Sequence, residues 1–303
     1  MKKRCKKCGS INVKKDWNKR WKQRYKCKDC WYVFQNSSRE KGKWEIREEY
    51  SIWKQTYEQL GEKYWKSKRT ISRELDKTKP KKAEIKPIAT VLIIDTTYFG
   101  KRWKDSSFWV MNFRSYELKK NLLRKIVEKE EKIKYKEWIE ELEKKWWEIL
   151  AIVSDWRWWM RDLGKPFQLC KFHQIKTVTK YITRHPTTEA WKELREISLL
   201  LCKIRKDTVE ERLNSWYYRY KDFLNEKNDE WMLIHLRVRN AYLSIKRNLE
   251  YLYTFEKYRW KFEIPTTTNS IESIFSHLKE KVWLHRWLKK ERKVKLINEF
   301  LSK

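Results

Sequence analysis

The chain has 303 residues and a formal charge of +33, from 74 Lys and Arg against 41 Asp and Glu. That length suits one large domain with small appendages. The charge is spread along the whole chain and calls for a polyanionic partner, nucleic acid before a membrane surface, because each neutralised phosphate releases counterions. No apolar run nears the ~18 residues of a spanning helix, and no signal-peptide core follows the Lys-rich start. A soluble, intracellular protein with no membrane partner is expected. Among the six cysteines, four fall in two Cys-x2-Cys pairs, which suits metal binding in a reducing compartment better than disulfides.

The chain opens with Cys5-Lys6-Lys7-Cys8-Gly9 and, eighteen residues on, Cys27-Lys28-Asp29-Cys30-Trp31. Two knuckles at this spacing can close a tetrahedral site of four thiolates around one Zn²⁺, a zinc ribbon over residues 1–38. Arg20, Lys22, Arg24, Tyr25 and Lys26 lie between the knuckles, either facing DNA or forming a solvated basic face around a structural zinc. Residues 44–60 read as helical. Thr56 to Tyr64, a turn at Trp65-Lys66, and Ser67 to Leu75 together resemble a helix-turn-helix within residues 44–78. Ser67 is a candidate N-cap, Ile71 and Leu75 share the packing face, and Lys68, Arg69, Ser72 and Arg73 are expected to face DNA. Residues 79–88, rich in Pro and Lys, read as a linker.

The core begins at Thr90-Val91-Leu92-Ile93-Ile94-Asp95, a short β-branched run that reads as a buried strand closed by a carboxylate. Phe108 to Phe113 and Asn121 to Val127 read as further strands, and Tyr135 to Trp146 as an amphipathic helix with Ile139 and Leu142 inward. Ile149 to Asp155 repeats the opening pattern, a second apolar strand ending on an aspartate. Pro166 to Leu169 reads as a fifth strand, followed by a helix from His173 to Arg184. Three strands, a helix and a fourth strand beside the first is the order of an RNase H-like mixed α/β sheet, here residues 89–186 and 262–303. Residues 187–261 show only helical spacing, as at Leu194, Ile197, Leu201 and Ile204, and read as an α-helical insertion. Beyond it, Asn269 is a candidate N-cap, Ile271, Ile274, Phe275 and Leu278 make an apolar stripe, and Glu272 lies off that stripe.

Four blocks, Ile94-Asp95-Thr96-Thr97-Tyr98, Val153-Ser154-Asp155, Gln168-Leu169-Cys170-Lys171-Phe172-His173 and Thr268-Asn269-Ser270-Ile271-Glu272, resemble in order those of Mutator-like DDE transposases of bacterial insertion sequences. The resemblance covers roughly residues 88–300. It implies that Asp95, Asp155 and Glu272 hold two Mg²⁺ (or Mn²⁺) ions that serve phosphodiester cleavage, water freeing a 3′-hydroxyl that then attacks target DNA. It also implies DNA partners (transposon ends and target), a homo-oligomer on DNA and a cytoplasmic, nucleoid-associated location. Cys170 and His173 form a Cys-x2-His pair, too few for a zinc site alone, and with Asn269 are expected to support the site by packing or positioning. His285 and Arg286 are expected either to contact phosphate or to serve on the surface. A domesticated or inactive DNA-binding regulator is the alternative function, and a structure-specific nuclease a third.

The chain has 20 Trp and 5 Gly, whereas Gly ordinarily makes up about 7% of residues and Trp is among the rarest. Trp31 occupies the place after the second knuckle that Gly9 occupies after the first. Trp65 falls in the helix-turn-helix turn, Trp156 follows Asp155, and Trp283 and Trp287 flank Leu284-His285-Arg286, where the resembled family has a glycine-bracketed block. Trp and Gly together number 25, near an ordinary glycine share. Many of the tryptophans are therefore expected to be UGA codons that the source organism reads as glycine, with Trp147 and Trp216 candidates for genuine tryptophan. The alternative is a Trp-rich protein that stacks bases on indoles.

Overall fold

The computed structural model divides into two units, Met1–Pro80 and Lys81–Lys303. Residues 1–3, 6, 20–21, 36–38, 78–84, 101–106, 156–157 and 303 lie outside the described residues, and with them Arg20, Trp156 and most of the expected linker. Among the described residues, no helix is long and apolar enough to cross a membrane.

In the first unit, β1 (Val13–Lys19), β2 (Lys22–Cys27) and β3 (Val33–Gln35) form an antiparallel sheet. Its small core is Cys5, Tyr25, Cys27 and Phe34, too little apolar area for stability without a further crosslink such as a metal. Three helices follow: α1 (Arg39–Ser51), α2 (Tyr57–Lys63) and α3 (Lys68–Lys77). The expected continuous helix over 44–60 is interrupted. Lys54 takes φ +56°, and Thr56 starts α2 with a capping box, its Oγ1 accepting from Gln59 N–H while Gln59 Oε1 accepts from Thr56 N–H. Ser67 Oγ accepts from Thr70 N–H at 3.2 Å at the start of α3. Ile71 and Leu75 are buried as expected, but Ser72 is buried with them. It lies one position after Ile71, on the inward edge of the helix, so of the four expected DNA-facing residues Lys68, Arg69 and Arg73 are exposed.

The second unit is a mixed five-stranded sheet in the order β6-β5-β4-β7-β8: β4 (Ala89–Phe99), β5 (Phe108–Ser115), β6 (Asn121–Val127), β7 (Glu148–Ser154) and β8 (Phe167–Leu169). β4 pairs antiparallel with β5 and parallel with β7, and β8 extends β7 in parallel. This is an RNase H-like topology, the one found in retroviral integrases. Alternation along β4 divides the core. Leu92 and Ile94 pack with Tyr135, Ile139 and Leu142 of α4 (Lys132–Glu143) and with the later helices α5 (Lys171–Ile182), α6 (Glu189–Leu200), α7 (Lys206–Asn225) and α8 (Leu236–Leu252). Val91 and Ile93 pack on the other face against Ile271, Phe275, Leu278 and Val282 of α10 (Asn269–Leu284) and Ile297 of α11 (Lys290–Phe300). The 187–261 region is helical, with α9 (Thr254–Tyr258) after α8, apart from one bridge between Lys227 and Leu233.

Candidate active site and thiolate cluster

The four knuckle thiols converge. Cys5 Sγ lies 3.5 Å from Cys30 Sγ and Cys8 Sγ 3.6 Å from Cys27 Sγ, with all four within 4.8 Å of one another. Zn–S bonds of about 2.3 Å set S···S edges of about 3.8 Å in a tetrahedron, so the cage matches one structural Zn²⁺. Gly9 takes φ +75° and Trp31 φ +58°, the same left-handed turn after the second cysteine of each knuckle.

In the second unit, strand register brings the two aspartates together. β4 does not end at Asp95, as expected, but runs on to Phe99, with Asp95 opposite Asn112. β7 ends at Ser154 opposite Ile94, so Asp155, the next residue, comes level with Asp95. Asp95 shares the parity of Val91 and Ile93, and Asp155 that of Ala151 and Val153, the face covered by α10. Asp95 is buried, and its Oδ1 accepts from Thr96 N–H at 2.7 Å. Burial, followed by the charge of Asp155, pushes its carboxyl up to about 7, against the Thr96 hydrogen bond and the imidazole of His173; Glu272 adds a smaller upward push.

Glu272 rides the first turn of α10, one position off the buried stripe. Its Oε1 accepts from Thr268 Oγ1 at 3.2 Å and lies 3.6 Å from His173 Nδ1, while its Oε2 faces Lys176 Nζ at 3.1 Å. Cys170 is fully buried at the start of α5 and faces both the backbone N–H and the hydroxyl of Thr268 at 3.4 Å. Burial raises the Cys170 thiol, but hydrogen bonds from His173 and Thr268 outweigh it and hold the group below its usual range. Burial depresses His173 in turn, and its contact with Cys170 and the charges of Asp155 and Glu272 more than restore it. Cys170, His173 and Glu272 offer ligand atoms within 4.8 Å of one another. The Cys-x2-His pair thus stands against the side of Glu272.

Other expected residues fall differently. Asn269 is the first residue of α10 and exposed; Thr268 holds the cap position. Thr268, not singled out from the sequence, is the residue that touches both Cys170 and Glu272, and its signal was its place four residues before Glu272, one helical turn. His285 is turned inward, and burial followed by the nearby Lys281 pushes it down to about 4, leaving a neutral ring at physiological pH. Arg286 beside it is exposed. Arg24 is half-buried, 4.0 Å from Asp16, and Lys68 pairs with Glu58.

No protein-family model matches the chain, and no curated protein sequence matches it significantly. What stands is an RNase H-like sheet of the nuclease and integrase type together with a four-cysteine cluster suited to zinc.

Proposed function

We propose that this chain is a Mutator-like DDE transposase, a metal-dependent enzyme that binds the ends of an insertion sequence and catalyses DNA strand cleavage and strand transfer. The observation that supports the reading best is the β4–β7 register that brings Asp155 level with the buried Asp95, on the face covered by the helix that carries Glu272. The charges of Asp155 and, more weakly, Glu272 both reach Asp95, and both also reach His173. Three carboxylates from two strands and a helix suit hard divalent cations, and Asp95, Asp155 and Glu272 would hold two Mg²⁺ or Mn²⁺ ions. Such ions activate a water or a 3′-hydroxyl and stabilise the departing oxygen.

The remaining residues prepare the carboxylates. Burial on the α10 face of β4 desolvates Asp95, and the Thr96 N–H fixes one of its oxygens. Thr268, His173 and Lys176 orient Glu272. Lys176 pairs with Glu272, and its ammonium would be released toward a DNA phosphate by metal bound to that carboxylate. The thiolate cluster and the α2–α3 pair, as a zinc ribbon and a helix-turn-helix, would supply DNA binding through Arg24, Lys68, Arg69 and Arg73, with Arg286 after α10 as a further phosphate contact. Oligomerisation on DNA and a nucleoid-associated cytoplasmic location belong to the same reading.

Strand transfer of a labelled transposon end into a plasmid, with Mg²⁺, tests it. Asp155→Ala or Glu272→Gln should lower transfer by about 10²-fold or more while DNA binding persists. Full transfer by Asp155→Ala would remove the triad. Binding without any transfer by the native chain would favour the regulator instead.

A further inference from the structure

We infer that the natural residue at positions 31, 65, 146 and 231 is glycine, the tryptophan there being the literal translation of UGA codons that the source cell reads as glycine. Among the described residues, seven non-glycine positions take a left-handed φ, and these four are tryptophans, at +58°, +52°, +68° and +61°. With 20 Trp in 303 residues, chance would place fewer than one there, and bulky side chains are the least suited to that conformation.

Each of the four sits in a motif whose geometry asks for glycine. Trp31 repeats the knuckle turn of Gly9. At the end of α2, Lys66 N–H donates to Gly61 O at 2.9 Å and Trp65 N–H to Glu62 O at 3.3 Å, the paired bonds of a Schellman motif with Trp65 at the left-handed position. The end of α4 repeats this, with Trp147 N–H to Leu142 O and Trp146 N–H to Glu143 O. At Asn228-Asp229-Glu230-Trp231, Trp231 N–H donates to Asn228 O at 2.9 Å inside the Lys227–Leu233 bridge, a tight turn followed by a left-handed bulge residue. All four indoles stand in solvent, 69–95% exposed. Stacking on bases would select the ring's surroundings, not a left-handed backbone beneath it. Trp147 and Trp216 behave oppositely: both are buried, and Trp216 Nε1 donates to Ala190 O at 2.9 Å, so these two are genuine. Trp283 and Trp287 take no left-handed φ, so their backbone carries no requirement for glycine.

Reading the gene tests this directly. UGA is expected at the four positions and UGG at 147 and 216, with glycine at the four in peptides of the native protein; UGG, or tryptophan in those peptides, overturns the inference. A second measurement compares the literal chain with one carrying Trp31→Gly, Trp65→Gly, Trp146→Gly and Trp231→Gly. Relief of the left-handed strain favours folding by roughly 5–30-fold per site, of which the freer unfolded glycine returns about 2–5-fold. The glycine chain should therefore unfold at higher denaturant, whereas Trp216→Gly should lower the midpoint. Equal or lower midpoints for the four-glycine chain would refute the conformational argument.

An independent observation lies beside Glu272. Resting on the transposase reading, we propose that the groove between α5 and α6 receives a single-stranded DNA end. The cavity, about 680 Å³, is lined by Phe172, Ile175, Lys176, Lys180, Arg184 and Arg195 among others, and by no carboxylate. Phe172 is partly exposed, Lys176 Nζ lies 4.3 Å over its ring and also reaches Glu272, and Arg195 Nε is buried without a hydrogen-bond partner. Cations for phosphates beside an aromatic for unpaired bases is the chemistry of single-strand binding.

Anisotropy of a labelled single-stranded oligonucleotide, titrated with the full chain at several salt concentrations, tests the groove. Lys180→Ala with Arg184→Ala should flatten the log–log salt slope by about 1.4, and Phe172→Ala should weaken binding roughly 5–150-fold, with a duplex probe little changed. An unchanged slope, or equal losses for duplex, overturns it. Mg²⁺-dependent plasmid nicking separates the two readings. Nicking with unchanged single-strand binding by the variants removes only the groove; groove-dependent binding without nicking by the native chain removes only the catalytic reading.

Discussion

Replacing Asp95 by asparagine probes the buried carboxylate most directly. Its pKa rises from the usual 3.8 to about 7 in the fold, so the folded chain holds a proton there that the unfolded chain releases. A raised folded-state pKa contributes stability that is fully present below the unfolded value and is lost as pH rises through the folded one. Each pH unit between the two is worth about 1.4 kcal/mol, so without divalent metal the site loses about 4 kcal/mol between pH 4 and pH 7. The asparagine amide carries no charge to desolvate. The Asp95→Asn chain should match the native chain near pH 4 and exceed it by up to about 4 kcal/mol at pH 8. Urea midpoints at the two pH values report this, with zinc retained and no chelator or Mg²⁺ added. Adding Mg²⁺ at pH 8 should restore the native chain by mass action and leave Asp95→Asn unmoved. A variant that is equally or less stable than the native chain at pH 8 would refute the idea of a desolvated, metal-awaiting carboxylate.

Three further outcomes follow from the contacts. Cys27→Ser should reduce bound zinc from about one ion per chain to near none and unfold the three-stranded sheet, read by metal analysis and circular dichroism. If Cys170 and His173 only position Glu272, Cys170→Ser should leave zinc at about one ion per chain, and a drop from two to one would assign them a metal instead. Thr268→Val, which removes the hydroxyl between Cys170 and Glu272, should lower strand transfer about tenfold with the fold intact, since a lost hydrogen bond to a charged group is worth about 1.5 kcal/mol. Unchanged transfer would make Thr268 a cap residue only.

Much of the architecture was legible because it is written in local patterns. Two Cys-x2-Cys knuckles can close on one metal whatever the intervening chain does, and the unbroken, β-branched apolar runs around Ile93 and Val153 mark buried strands. Asp95, Asp155 and Glu272 could be singled out because each follows or flanks such an apolar pattern. The helical character of 187–261 came from spacing alone. Helix limits were read less well: the break at 52–56 depends on the Thr56–Gln59 capping box and on Lys54 turning left-handed, choices made among competing local conformations.

Other features belong to tertiary structure because they depend on what packs beside them. That Asp95 lies within a strand and Asp155 just past one, yet both come level, is set by the Ile94–Ser154 register, an interstrand quantity no single segment encodes. Thr268 matters through residues 98 positions away at Cys170. His285 reads in sequence as a phosphate contact or a surface residue and becomes a neutral buried ring in the fold, because desolvation disfavours its charged form. The tryptophans show both levels at once. Composition said that glycine was missing and the knuckle and helix-turn-helix motifs pointed to Trp31 and Trp65; the backbone angle, fixed by the helix ends and turns around each residue, added Trp146 and Trp231.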